Sequence, residues 1–232
     1  MNLFRSRQEV SRLEAFSDGV FAFSATLLVV SLEVPTTFPE LVSELKGFVA
    51  FGISFAALVF IWSVHNAFFR RFAISDKVTT LLNACLLFVV LFYVYPLKFM
   101  ADLIAMLFGM GEGRPGISSF DELATLFLLY SAGFVAIFLS VACMYLHVYR
   151  KGDELPGFSE GRRQEALFYS RHYAILAGVG VLSMGVALSG VGIQIGLPGF
   201  VYMLLGPLCY WHARASSFDE SMLQEERGTA GD

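Results

Sequence analysis

Six long apolar runs recur along this chain, at residues 20–32, 48–64, 78–95, 123–147, 173–188 and 192–211. Several approach the ~20 residues a helix needs to cross the hydrocarbon core of a bilayer. A soluble domain can bury one or two all-apolar helices, but not this many in 232 residues. Composition agrees where it bears on the point: 56% of residues are hydrophobic and 16% are charged, against roughly 25% charged in an ordinary soluble domain. The expected fold is an all-α membrane protein with six transmembrane helices. The last two runs are interrupted by glycine and proline, so their limits are the least defined.

Charge placement sets the expected topology. Arg5, Arg7 and Arg12 precede the first run, and Arg70, Arg71 and Lys77 lie between the second and third. Arg150, Lys151, Arg162, Arg163 and Arg171 lie between the fourth and fifth, and Arg214 and Arg227 follow the sixth. This puts 13 of the 16 Lys and Arg on one side, leaving Lys46, Lys98 and Arg114 on the other. The positive-inside bias then predicts both termini in the cytoplasm of a multi-pass plasma-membrane protein. Residues 1–214 are read as one six-helix domain and residues 215–232, with their acidic composition, as a disordered cytoplasmic tail. Asp18 at the entry to the first run, and Glu33-Val34-Pro35 after it, predict an uncleaved helix rather than a signal peptide. Cys85, Cys143 and Cys209 are odd in number and far apart, which suggests neither a disulfide framework nor a metal site.

Local signals place helix starts. Ser11-Arg12-Leu13-Glu14 and Ser119-Phe120-Asp121-Glu122 fit the capping box, and Thr37-Phe38-Pro39 puts proline in the first turn of helix two. The longest connections are expected at residues 98–120 and 150–163. In helix five, Ala174, Ala177, Gly178, Gly185 and Ser189 are small enough to let a neighbouring helix approach closely.

The first helix carries most of the functional information. Positions seven apart on a helix fall within about 20° of each other, so Phe16, Phe23 and Val30 form one stripe beside Gly19, Thr26 and Leu27. In a monomer this stripe is core; in a symmetric oligomer with the helix at its axis, each position becomes a ring around a pore. Arg12, Ser17, Asp18, Ser24 and Thr26 lie at or within the span, where ionisable groups are costly unless paired or hydrated. Asp18 points away from Arg12, six residues before it, and needs a donor from elsewhere. Trp62, His65 and Asn66 share a face near the same end of helix two, and Asn83 adds a further polar group in helix three. A buried network joining Arg12, Asp18, His65 and Asn66 is one expectation; a purely structural latch is the other.

Arg12-Leu13-Glu14-Ala15-Phe16-Ser17-Asp18-Gly19 resembles the R-x-x-x-F-S-D-G signature of the transmembrane protein 175 family of endosomal and lysosomal potassium channels and their bacterial relatives. The likeness continues through Glu33-Val34-Pro35, Trp62, His65-Asn66, Asn83 and Pro96, covering about the first 100 residues. The resemblance implies a single-repeat bacterial-type subunit that forms a homotetramer in the lipid bilayer, with the first helices lining the pore. It implies a potassium-selective or potassium-preferring channel, with potassium as the permeant ion and no cofactor. In place of a carbonyl filter it implies apolar rings, which carry over to Phe23, Leu27 and Val30, with Thr26 contributing to selectivity. No T-V-G-Y-G segment occurs in the sequence. Phe23 departs from the aliphatic residue usual at the narrowest ring. Four phenyl rings could close the pore more firmly by excluding water, turn aside by a rotamer change, or offer ring faces to a cation.

Two other functional classes share some of these residue types. Ser17, Asp18 and His65 contain the side chains of a hydrolase triad. However, adjacent helical residues point about 100° apart, and neither G-x-S-x-G nor H-E-x-x-H occurs, so an enzyme is not expected. A proton- or ion-coupled carrier using Asp18, Glu33 or His65 is the alternative, although the first helix lacks the internal break common in alternating-access transporters. Glu33 is placed at the outer mouth, where its charge either concentrates cations or simply faces solvent. Neither a nucleic-acid partner nor a small-molecule substrate is expected.

Overall fold

The computed structural model describes residues 12–31, 35–109, 116–154 and 158–215. Those residues form helices α1 (Arg12–Val30), α2 (Phe38–Arg71), α3 (Lys77–Leu107), α4 (Phe120–Lys151), α5 (Glu160–Ser189), α6 (Leu197–Phe200) and α7 (Leu205–Ala215). Five helices are long and apolar enough to cross a membrane: α1, the Gly47–Arg71 portion of α2, α3, α4 and α5. The chain is therefore a multi-helix membrane protein.

The sixth apolar run is built differently. After α5 the chain turns through Gly190 and Gly192 into a 3-10 turn at Ile193–Ile195, then enters α6, a second 3-10 stretch (Val201–Leu204) and α7. From residue 197 to 215 the backbone is helical throughout but changes pitch twice. Gly192 (φ 69°) and Gly196 (φ 70°) adopt left-handed backbone conformations, which glycine adopts without a Cβ penalty. A Cβ on Gly192 would also lie 2.7 Å from Leu197 Cβ.

The helix starts follow the side chains. Thr37 caps α2 in a full capping box with Glu40, and Pro39 sits in the first turn. Asp76 caps α3 by accepting from Thr79 N at 2.8 Å. Ser119 caps α4, while Glu122 reaches one residue further back, to Ser118 N. The capping box expected at Ser11 lies outside the described residues.

Two connections are shorter than the sequence suggested. Helix α3 runs through Pro96 to Leu107, where the loop was expected to open at residue 98. Proline removes one intrahelical donor, which apolar helices tolerate when neighbours re-satisfy the freed carbonyl. Beyond it the Lys98–Asp102 ion pair at 3.1 Å spans one turn. Likewise, α4 continues to Lys151 and into a 3-10 turn at Gly152–Glu154, and α5 begins at Glu160.

The described residues fall into two compact units. The first contains α1, α2 and α3 apart from residues 81–89; the second contains residues 81–89 and the chain from Gly116 onward. In the first unit, α1 packs on α2, and Ala50 of α2 clusters with Ala101 and Ala105 of α3. In the second, α4 and α5 form the most extensive helix pair. Tyr145 packs on Tyr169 and Tyr173, Phe138 stacks on Tyr173, and Ser170 Oγ donates to the Ala142 carbonyl at 3.0 Å. The glycine that permits this approach is Gly180, where a Cβ would lie 2.7 Å from Val135 Cγ2. Gly178 and Gly185, singled out from the sequence, face open space, and Ala174 and Ser189 are exposed; Ala177 alone of those five is buried.

A buried hydroxyl chain ties the interrupted last segment to α4 and α5. Ser183 Oγ donates to the Pro198 carbonyl at 2.9 Å, so the 3.0 Å contact between Ser131 and Ser183 has Ser131 as donor. Ser131 in turn accepts from Tyr202 Oη at 2.9 Å. Each hydroxyl has one proton, so the direction of the whole chain is set by its last acceptor.

Candidate functional site at helices one and two

Helix α1 divides lengthwise. Ser17, Phe21, Ser24 and Leu28 are buried, with Leu28 wholly inaccessible. Phe16, Gly19, Phe23, Thr26 and Val30 are exposed, Phe23 at 57% and Val30 at 72% of their full surface. Both sets follow the three-and-four spacing of a helix face. Leu27 sits between them, half-buried. Large apolar side chains thus stand on a face that no other part of the described chain covers.

The polar side chains of α1 are partly satisfied within the helix. Ser17, Ser24 and Thr26 each donate to the carbonyl four residues earlier (Leu13, Val20 and Ala22) at 2.8, 2.9 and 3.0 Å. Ser17 Oγ is buried and gives its one proton to the Leu13 carbonyl. A Cβ on Gly19 would meet nothing within 4 Å.

Between the helices, Trp62 Nε1 donates to Asp18 Oδ1 at 2.8 Å. One turn further along α2, His65 is buried, its ring 5.5 Å from that of Phe21 and 4.9 Å from that of Phe69. Phe68 and Phe69 meet edge to face at 5.2 Å behind it. Among the described residues, Asp18 takes its donor from Trp62; Arg12 is exposed at the first residue of α1, and Asn66 is half-buried beside His65. Asn83 is fully buried in α3. Glu33 lies outside the described residues. Phe21 and Phe69 escaped the sequence reading, although Phe69 stands four residues after His65, the spacing that places two side chains on one helix face.

No cluster of three or more His, Cys, Asp or Glu that could hold a metal occurs among the described residues.

The family model described as "Endosomal/lysosomal potassium channel TMEM175" matches residues 12–93, the stretch that holds α1, α2 and the Trp62–Asp18 contact. The crystal structure of a variant of the potassium channel MtTMEM175, in complex with a nanobody–MBP fusion protein, superimposes with a TM-score of 0.76 and 32% identity, covering 92% of this chain and 96% of that one. The chain belongs to the TMEM175 family.

A potassium channel of Marivirga tractuosa, 42% identical over 154 residues, aligns with 63% of this chain. That alignment spans 62% of the Marivirga protein's own length. The crystal structure of a lysosomal potassium-selective channel TMEM175 homolog from Chamaesiphon minutus shares the fold, with a TM-score of 0.59 at 24% identity over 89% of this chain and 97% of that one. Within this TMEM175 chain, the R-x-x-x-F-S-D-G stretch forms the start of α1, and its aspartate is the residue that Trp62 holds.

Proposed function

We propose that this chain is the subunit of a potassium-selective or potassium-preferring cation channel, in which α1 from each copy lines a central pore. The observation that carries this reading is the lengthwise division of α1. Its inner face is buried and latched to α2 through Asp18 and Trp62, while Phe23, Thr26 and Val30 stand uncovered on the other. In a homotetramer these positions become rings, with Phe23 the narrowest, Leu27 and Val30 beyond it, and Glu33 at the mouth. Apolar rings gate by excluding water and need no carbonyl filter. Thr26 Oγ1 gives its proton to Ala22 O, so its free lone pairs are available to a passing cation. The names of the relatives support potassium as the ion. The reading includes six spans per subunit, with the helical track of residues 197–215 as the sixth, both termini cytoplasmic, and residence in the plasma membrane without a cofactor.

The test is potassium flux from liposomes holding the purified protein, comparing wild type with Phe23→Ala and Asp18→Asn. Electrogenic potassium flux that changes markedly in Phe23→Ala supports a pore lined by α1, and replacing potassium with sodium then reports selectivity. Silence in wild type with flux in Phe23→Ala makes the ring a closed gate. Silence in every form with the assembly intact overturns the channel, and saturating flux coupled to a second ion replaces it with a carrier.

A further inference from the structure

The end of the chain carries a second constellation that conduction through α1 does not use. Of the four histidines in the sequence, two meet in the second unit. His172 of α5 and His212 of α7 have ring centroids 6.0 Å apart. The Phe168 ring joins them, stacking on His212 at 4.9 Å with planes 13° apart and on His172 at 6.2 Å.

His212 Nε2 lies 3.2 Å from the Phe168 carbonyl, which can only accept, so that nitrogen holds the proton in the neutral ring. His172 Nδ1 is buried and has no hydrogen-bond partner among the described residues. A neutral imidazole can leave that nitrogen bare at modest cost, whereas an imidazolium must present a charged N–H there with nothing to receive it. Protonating both rings would also set two cations side by side.

The buried carboxyl on this face of α5 is Glu165, two turns before His172. Helix α5 packs against α4 and against the short helices of residues 197–215. From the latter, the titratable ring that meets His172 is His212; on α5 it is Tyr173, at 5.4 Å. From α4, Tyr145 packs on Tyr169 and Tyr173. The nearby cations Arg171 and Arg214 are exposed, Arg214 donating to Tyr210 Oη at 3.2 Å. Cys209 lies one turn before His212 on α7, half-buried. Among the described residues neither histidine meets a carboxylate.

We propose that His172 and His212 form a proton-operated latch: the neutral rings hold α7 against α5, and acidification of the water that α7 reaches releases it. The sign follows from the geometry. The docked arrangement accepts the neutral His172 ring and leaves its charged form with a buried N–H that has no acceptor, so docking is favoured at higher pH and lost as pH falls. The latch stands apart from the α1 pore, so it stands or falls independently of ion conduction.

The test is backbone hydrogen exchange of the full-length protein in lipid nanodiscs at pH 7.5 and pH 5.5, about one unit either side of the ordinary histidine value, with each rate corrected for intrinsic chemistry. In wild type, the amides of α7 should exchange at least several-fold faster at the lower pH, while those of α4 keep their protection. His172→Phe, which retains a ring against Phe168 and Tyr173, should remove that difference. Equal α7 protection at both pH values in wild type overturns the proposal, as does the same pH dependence in His172→Phe. Should His172→Phe fail to fold, His172→Gln serves as the non-titrating variant with the same two outcomes.

Discussion

Trp62 and Asp18, separated by 44 residues in sequence, are joined by a 2.8 Å hydrogen bond from the indole Nε1 to the carboxylate Oδ1. The donor belongs to α2 and the acceptor to the signature stretch of α1, so the contact fastens α1 in the rotation that buries Ser17, Phe21, Ser24 and Leu28 and leaves Phe23 and Val30 uncovered. Indole is a donor only and an ionised carboxylate an acceptor only, so the pair has one sense and no tautomer to choose.

Trp62→Phe keeps most of the ring and removes the donor. A hydrogen bond to a charged group contributes about 1.5–3 kcal/mol when buried, and exposure of Asp18 brings the expected loss towards ~1 kcal/mol. Thermal unfolding of the purified protein should show a lower midpoint for Trp62→Phe. Asp18→Asn keeps an acceptor in place and should fall between that variant and wild type.

Phe23 and Leu28 stand on opposite faces of α1, the one 57% exposed and the other inaccessible. Leu28→Ala should cost about 2–5 kcal/mol, the usual penalty for truncating a buried leucine. Phe23→Ala should leave the fold of the chain within about 0.5 kcal/mol, as surface substitutions do, and act on flux instead. Unfolding measurements on both variants separate the two faces; a large folding loss in Phe23→Ala would place its ring in a core rather than at a pore.

Gly180 and Gly178 lie two residues apart on α5, yet only Gly180 meets α4. Gly180→Ala puts a methyl 2.7 Å from Val135 Cγ2 and 3.1 Å from Phe134 Cδ1, an overpacking expected to cost about 1–3 kcal/mol. Gly178→Ala meets nothing within 4 Å and should stabilise by up to ~1 kcal/mol through helix propensity. Opposite shifts of the melting midpoint are the expected result.

At the start of α2, the Thr36 backbone N–H, its hydroxyl and the Thr37 N–H hold the Glu40 carboxylate below the usual carboxylate range. A carboxyl group whose folded value is depressed supports the fold above its unfolded value, and that support is lost as pH falls through the folded value. Amides in the first turn of α2 should therefore exchange slowly at neutral pH and lose protection in acid. Glu40→Gln should show little of this pH dependence, and hydrogen exchange across an acid series checks it.

The shared face of Phe16, Phe23 and Val30 is legible from helical periodicity alone. The partner of Asp18 is not: helix two offers Trp62, His65 and Asn66, the expected network joins Asp18 to Arg12, His65 and Asn66, and the donor in the structure is Trp62. What stayed hidden required knowing which helices meet. His65 sits between Phe21 and Phe69, and Phe21 is one of 24 phenylalanines with no local feature to mark it. The glycine at the α4–α5 contact was misjudged for the same reason: a helix with small residues on several faces does not state which face its neighbour takes.

The amino-acid sequence by itself determined that this chain lies in a membrane, where its long helices run and where most of them start. Apolar length, charge placement and capping chemistry act over a few turns of one helix and require no partner. Only the tertiary structure decided how α1 is rotated, how the last segment breaks and why it stays broken. The three hydroxyls of Ser131, Ser183 and Tyr202 come from three separate stretches, and one ends on a carbonyl that the turn at Gly196 presents. Such a chain exists only when all three stretches are in place, because a hydrogen bond acts over about 3 Å and the sequence separations here reach 71 residues.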